Sequence, residues 1–340
     1  MNTILVTGGT GYIGSHTAVE LITAGFKVVI VDNLSNSQIE VLDGIKAITG
    51  VRPYFEQFDL CERDKVYALF QKYQIDAIIH FAALKAVGES VEKPLEYYHN
   101  NLESLIILLE SMKKFNTNSL VFSSSCTVYG QPDELPVKES APIKKALAPY
   151  GKTKQISEEI IQDSINVIPG IKAISLRYFN PIGAHPSAHI GELPRGIPLN
   201  LVPFITQTAA GVREKLMVFG NDYNTKDGTA IRDYIYVVDL AKAHVVSVKR
   251  LLENKNKSRY EIFNLGTGEG YSVMEIIKTF EKATELSVNY EIVNRREGDI
   301  EKVWADTTLA NNVLGWRANT LLEEILRSAW KWEKKIRNIQ

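Results

Sequence analysis

The first half of the chain is built on short apolar runs, and these limit what it can fold into: "TILVTG" (3–8), "KVVIVDN" (27–33), "YFEQFD" (54–59), "AIIHFAA" (77–83), "SLVFSSS" (119–125) and "AISLRYFN" (173–180). Most are continuous Val, Ile, Leu or Phe with no polar alternation, the mark of strands buried on both faces of a parallel sheet. Helical stretches separate them. "SHTAVELITAG" (15–25) stops at Gly25, and glycine suits the residue that closes a helix. "PLEYYHNNLESLIILLESMKKF" (94–115) opens on Pro94 and ends near lysines, in keeping with helix polarity. This alternation predicts an α/β fold, a Rossmann-type doubly wound parallel sheet.

After Asn180 the texture changes, and residues 181–234 are rich in Pro, Gly and Asn. Further on, the sequence predicts a helix over Val238–Leu252, a strand near Glu261–Leu265 and a strand over 288–293. It also predicts a helix opened by the capping box Ser272-Val273-Met274-Glu275 and a terminal amphipathic helix. The expected organisation is a dinucleotide domain over 1–180 plus about 235–265. A smaller C-terminal substrate-binding lobe takes 181–234 and 266–340.

The formal net charge of −1 makes nucleic acid or an anionic membrane an unsuitable general partner. An anionic ligand must then be met by local cations. "MNTILVTGG" reads as a strand and not a signal peptide, and Leu105–Leu109 is too short to span a bilayer. Cys61 and Cys126 are remote in sequence, so no metal site or disulfide framework is expected, and a cytoplasmic setting fits.

"VTGGTGYIGSH" places Gly9, Gly11 and Gly14 in G-x-G-x-x-G spacing, with Gly8 added, between the first strand and the first helix. One glycine permits the tight turn, one admits a pyrophosphate to the backbone, and one lets helix pack on strand. Asp32, 18 residues after Gly14, ends the second strand. A carboxylate there binds both ribose hydroxyls and repels a 2′-phosphate, which selects NAD over NADP. Otherwise the glycines serve a structural turn beside an exposed aspartate.

Three hydroxyls, Ser123 to Ser125, lie where the fifth strand ends, and "PYGKTK" follows with Tyr150 and Lys154 one helical turn apart. A free phenol is a poor base at neutral pH. A neighbouring ammonium, and a cationic nicotinamide, favour the phenolate. Ser125 can then hydrogen-bond or relay an alcohol proton. A Tyr-x-x-x-Lys pair alone also fits a solvated helix face; the dinucleotide turn gives it meaning.

With these features, "HFAALKAVGES" (80–90), "SSSCTVYG" (123–130), "RYFNPIGAH" (177–185), "GNDYNTKDGTAIRDYIYVVDLA" (220–241) and "RREGD" (295–299) resemble the extended short-chain dehydrogenase/reductase superfamily and, within it, the UDP-glucose 4-epimerase family. The resemblance runs from about residue 3 to the C-terminal helix. It implies a resident NAD held by Gly8, Gly11, Tyr12, Ile13 and Gly14 at the pyrophosphate and by Asp32, Asn33 and Asn36 at the ribose. Asp59 and Leu60 would flank adenine. Phe81, Ala82, Ala83, Lys85 and Asn100 would line the middle of the site, with Tyr178 and Phe179 beyond. Ser125, Tyr150 and Lys154 would be catalytic. Substrate contacts would come from Asn180, Asn200, Leu201, Met217, Val218, Phe219, Arg232, Arg296, Asp299 and Val303, as well as from Ser125 and Tyr150. The implied cycle is removal of the O4 proton by Tyr150, hydride transfer from C4 to NAD, turning of the 4-keto sugar, and hydride return to the other face. Interconversion of UDP-glucose and UDP-galactose is implied, in a homodimer.

Three positions depart from the family pattern. Ala83 stands where the family has Gly, and Cys126 where alanine is frequent. Val303 stands where many members carry Tyr at the wall beside the sugar C2, so the acetylated UDP-sugars are expected to fit; alternatively Val303 merely packs. Two rival readings are a nucleotide-sugar dehydratase or decarboxylase and a non-catalytic NAD sensor. β-Elimination needs an added acid and base. Cys126 and Thr127 supply no carboxylate there, and a sensor would not need Ser125, Tyr150 and Lys154 together.

Overall fold

The structure is a computed structural model and describes residues 1–296 and 299–339. β1 (Thr3–Thr7) leads through α1 (Tyr12–Thr23) to β2 (Lys27–Asp32), α2 (Val41–Thr49), β3 (Tyr54–Gln57), α3 (Arg63–Lys72) and β4 (Ala77–His80). Two successive helices, α4 (Val87–Glu92) and α5 (Pro94–Phe115), precede β5 (Ser119–Ser125); α6 (Pro149–Val167) precedes β6 (Lys172–Tyr178). Then follow β7 (Asn180–Ile182), α7 (Leu201–Ala209), β8 (Leu216–Phe219), β9 (Ile231–Arg232), β10 (Tyr234–Tyr236), α8 (Val237–Leu252) and β11 (Tyr260–Leu265). The chain closes with β12 (Tyr271–Ser272), α9 (Val273–Thr284), β13 (Tyr290–Val293), β14 (Lys302–Val303) and α10 (Leu322–Arg337).

Seven strands form one sheet in the order β3-β2-β1-β4-β5-β6-β11, every pairing parallel. Alternate residues of one strand reach opposite faces. Ile4 and Val6 pack with Ala18, Leu21, Leu240 and Val248 of α1 and α8. Leu5, between them, packs with Leu69, Leu105 and Ile161 of α3, α5 and α6. This double burial is why the runs lack polar alternation. β3 is the exception: it is a sheet edge, and its charged, half-exposed sequence suits that place.

The predicted elements hold with small shifts at their ends. α1 starts at Tyr12, three residues before the expected start, because Gly11 already caps it. The fourth strand stops at His80, so Phe81 to Ala83 leave the sheet as a loop. The sixth stops at Tyr178, and Asn180 starts a strand of the other lobe. The capping box on α9 is present: Glu275 N–H donates to Ser272 Oγ at 3.0 Å, and Ser272 N–H donates to Glu275 Oε2 at 2.9 Å.

A smaller lobe is built from three short sheets, β7–β10, β12–β9–β14 and β8–β13. Its core joins Val202 and Ile205 of α7, Ile276 and Phe280 of α9, and Ile325 and Leu326 of α10. The large sheet reverses its strand order between β1 and β4, which opens a crevice at the carboxyl ends of those strands. No described helix is long and apolar enough to cross a membrane.

Candidate active site

The glycine turn lies at that reversal. Gly8 has φ +67°, and a Cβ there would stand 2.8 Å from the Ala82 nitrogen. A Cβ on Gly14 would stand 2.3 Å from the Gly8 carbonyl, so only glycine lets α1 approach β1 this closely. Gly11 is different: within 4 Å its Cβ would meet only the Gly8 carbonyl, at 3.1 Å. It is the N-cap of α1 and has no side-chain cap, so no side chain of that residue covers the helix N-terminus. An uncapped helix N-terminus with room for close backbone approach fits a dinucleotide pyrophosphate.

Asp32 sits at the end of β2. Its Oδ1 accepts from Leu34 N–H (2.9 Å) and Ser37 Oγ (3.0 Å), and its Oδ2 accepts from Thr10 N–H (3.3 Å). Asn33 Nδ2 donates to Asp59 at 2.8 Å, joining the loops after β2 and β3. Asn36 is exposed beside them. The Leu60 side chain packs in the core under α3 and α5, so only its backbone is available on the loop after β3. Arg195, which sequence reasoning missed, reaches from the other lobe and donates to the carbonyls of Leu34 (3.0 Å), Ser35 (2.7 Å) and Ser37 (2.5 Å).

The loop after β4 is fixed from both sides. Phe81 N–H donates to the Thr7 carbonyl (3.2 Å) and Ala82 N–H to Thr7 Oγ1 (3.3 Å). Asn101, also missed, accepts from Leu84 N–H and donates to the Leu84 carbonyl, while Asn100 donates to Asn101. Ala83 is half-buried in this loop. Tyr12 donates to the Gly183 carbonyl at 2.6 Å, and Ile13 packs against cores of both lobes. Lys85 offsets the charge of Glu192, a carboxylate whose pKa burial raises and which accepts from Asn200 Nδ2 at 2.6 Å.

β5 delivers the three hydroxyls to the crevice, and two have structural partners. Ser123 bonds the Tyr178 hydroxyl, and Ser124 donates to Glu158 at 2.6 Å. Ser125 Oγ accepts from Thr127 N–H at 3.2 Å and so caps the turn Cys126–Tyr129; its hydroxyl also acts on the Tyr150 phenol, against the effect of burial. Pro149 starts α6, which puts Tyr150 and Lys154 on one face. Lys154 Nζ donates to the Ser123 carbonyl at 2.6 Å and lies 5.9 Å from the Tyr150 ring centre. Burial pushes Tyr150 up to about 12, with the Ser125 hydrogen bond opposing, and pushes Lys154 down to about 8. Tyr150 is half-buried as a whole, and the protein around the phenol removes most of its water. The expected lowering of the phenol is not seen in the protein alone: burial dominates and holds it up.

The smaller lobe forms the opposite wall. Asn180 N–H donates to the Asp233 carbonyl at 3.0 Å. Leu201 begins α7 behind its N-cap Asn200. Met217 and Phe219 are exposed on β8, whereas Val218 between them points into the lobe core, so only its backbone is available. Arg296 bonds Asp299 at 2.7 Å and lies 5.7 Å from the Phe219 ring centre; Arg232 approaches Asp299 at 3.9 Å. The two arginines and Asp299 thus converge. Glu297 and Gly298, inside "RREGD", lie outside the described residues. Val303 is buried in a cluster with Val128, Phe179 and Ala305, on which Cys126 packs. Asp233, whose role no local sequence signal marks, accepts from Thr267 N–H and Oγ1 (both 2.8 Å), Gly268 N–H and Ala305 N–H (both 3.2 Å), and so ties the strand of Arg232 to that of Val303.

Residues 5–329 match the family model described as GDP-mannose 4,6 dehydratase. The UDP-glucose 4-epimerase of Bacillus subtilis (strain 168) is 51% identical over 330 residues, covering 97% of this chain and 96% of the relative. The crystal structure of UDP-glucose 4-epimerase from Stenotrophomonas maltophila with bound NAD and formylated UDP-arabinopyranose is 47% identical, with a TM-score of 0.96 over 100% of both chains. That from Bifidobacterium longum, in complex with NAD+ and UDP, is 44% identical, with a TM-score of 0.94 over 100% of both chains. The chain belongs to the nucleotide-sugar family that this model describes and, within it, to the UDP-glucose 4-epimerases.

Proposed function

We propose that this chain interconverts UDP-glucose and UDP-galactose by inverting C4 of the sugar, through a transient 4-keto sugar, with NAD retained throughout. The observation that carries the reading is the gathering of Ser125, Tyr150 and Lys154 at the carboxyl end of β5, beside a glycine turn whose helix N-terminus is uncapped. Relatives of the same fold bind NAD with UDP or a UDP-sugar. Residues 1–180 with about 235–265 form the NAD domain, and 181–234 with 266–340 form the nucleotide-sugar lobe. The pairing of β11 with β6 supports that division.

Gly8, Gly11, Tyr12, Ile13 and Gly14 hold the cofactor pyrophosphate, and Asp32, Asn33, Asn36 and Asp59 hold its adenosine. Phe81 to Ala83, Lys85, Asn100, Tyr178 and Phe179 flank the rest. Bound NAD supplies a cationic ring that takes and returns the C4 hydrogen as hydride. Tyr150 takes the O4 proton and later gives it back. Ser125 hydrogen-bonds the same hydroxyl. Lys154, together with the charge of the cofactor, offsets the desolvation that raises the phenol. Arg232 and Arg296 offer guanidinium forks to the UDP phosphates, a local cationic site in a chain of net charge −1. Asn200, Leu201, Met217, Phe219 and the Val218 backbone take the uridine end, and Asn180 the sugar. UDP stays anchored while the sugar turns.

The small side chain of Val303 leaves room beside C2, so UDP-N-acetylglucosamine and UDP-N-acetylgalactosamine are substrates too. The protein is cytoplasmic and a homodimer; Val91, Leu95 and Ile106 expose apolar surface on α4 and α5 for a second copy. Incubation of purified protein with UDP-galactose and UDP-N-acetylgalactosamine, without added cofactor, tests the reading. It predicts UDP-glucose and UDP-N-acetylglucosamine as products. Unchanged UDP-galactose would overturn it.

A further inference from the structure

Outside the reaction site, the loop after β3 and the outer face of α5 bring together a thiol, an imidazole and a carboxylate. One ligand atom each of Cys61, His99 and Glu103 lies within 4.8 Å of the others. His99 and Glu103 stand one helical turn apart, with His99 Nε2 2.8 Å from Glu103 Oε2. Cys61 is half-buried, and its N–H is tied to Asp59 Oδ1 at 2.9 Å. The carboxylates of Asp59 and Glu103 both act on the thiol, so its surroundings are negative.

Sulfur, nitrogen and oxygen donors about one point suit zinc and its neighbours; calcium and magnesium take oxygen. Tetrahedral zinc, with bonds of about 2.3 Å to sulfur and about 2.0–2.1 Å to nitrogen or oxygen, needs ligand atoms about 3.3–3.6 Å apart. Closing 4.8 Å to that span asks only for rotation of side chains that are free to move: His99 is 72% and Glu103 40% exposed. Cys61 and His99 are far apart in sequence, which is why spacing alone suggested no metal and the fold was needed to bring them together.

We propose that Cys61, His99 and Glu103 bind one zinc-class divalent cation, with water in the fourth position. On binding, the Cys61 S–H bond breaks, a sulfur–metal bond forms and the proton leaves to solvent. Asp59 stays outside the metal's direct ligands and orients the loop through the Cys61 N–H. The ion fastens the loop after β3 to α5. This site does not depend on the reaction assigned above, and its test needs no turnover.

The holoenzyme is treated with EDTA, desalted, and titrated with Co2+ as a spectroscopic probe and with Zn2+ by calorimetry. One equivalent of metal is expected, with a thiolate-to-cobalt charge-transfer band in the near ultraviolet and a higher melting temperature with Zn2+. Cys61→Ser should lose the band and Cys126→Ser should keep it. His99→Ala changes an exposed residue, so it should fold as the parent does yet bind Zn2+ more than tenfold more weakly. Absence of the band in the parent protein, its persistence in Cys61→Ser, or unchanged Zn2+ affinity in His99→Ala would each overturn the proposal.

Discussion

Lys154 Nζ donates to the Ser123 carbonyl at 2.6 Å, so the last strand residues before Ser125 hold the ammonium below the Tyr150 ring. Burial drives the two groups in opposite directions, Tyr150 up to about 12 and Lys154 down to about 8. Both shifts disfavour charge, so phenolate forms only where positive charge is supplied. Tyr150→Phe removes the proton acceptor and should lower kcat by about 10²- to 10⁴-fold while leaving bound NAD in place. Lys154→Met removes charge that stabilises phenolate, so the acid limb of the kcat–pH profile should move to higher pH. Steady-state assays across pH check both.

Glu158 and Arg177 form a buried pair behind the catalytic strand. Arg177 Nε donates to Glu158 Oε1 at 2.9 Å, Ser124 donates to the same oxygen at 2.6 Å, and Tyr129 approaches the guanidinium at 3.0 Å. The Arg177 side chain is 4% and the Glu158 side chain 10% exposed, so little water can replace a lost partner. Glu158→Ala leaves a buried, unpaired guanidinium and should destabilise the protein by about 3–5 kcal/mol in urea unfolding.

His16, His80 and His244 are buried and neutral, pushed by desolvation to about 3, about 3 and about 4. Unfolded histidine binds its proton near pH 6.5. Between about pH 6.5 and pH 4 the unfolded chain therefore takes up protons that the folded chain does not, and stability falls as pH falls. Three such groups give a slope of about 4 kcal/mol per pH unit once all are protonated in the unfolded state. Chemical denaturation at pH 7, 6 and 5 should show this loss. A flat profile would mean that these rings protonate in place.

Val303 shares a buried cluster with Phe179, and Cys126, next to Ser125, packs on that cluster. Val303→Tyr adds a ring where the acetyl group of the larger sugars would sit. It should cut kcat/KM for UDP-N-acetylgalactosamine at least tenfold and change that for UDP-galactose much less. Equal losses on both sugars would mean that Val303 only packs.

Much of this molecule was legible before folding because its signals are local. Uninterrupted Val and Ile runs mark strands covered on both faces, and the capping box on α9 needs only Ser272 and Glu275. The glycine turn and the Tyr150–Lys154 pair likewise depend on fixed spacing. What was hidden depends on distance along the chain. Arg195 meets the loop of Leu34 to Ser37 only through the fold, and Asn101 is one polar residue among several on a long helix. Leu60 and Val218 turn their side chains into the core, a direction that burial decides and sequence position does not show. The balance at Tyr150 is not legible in sequence, which shows the nearby lysine and not the dry surroundings.

The most direct test of the account follows the hydrogen itself. UDP-galactose carrying deuterium at C4 is incubated with the purified protein in ordinary water, and the product is analysed by mass spectrometry and proton NMR. The account predicts UDP-glucose with the deuterium still on C4. Loss of the label to solvent, or no inversion at C4, would contradict it.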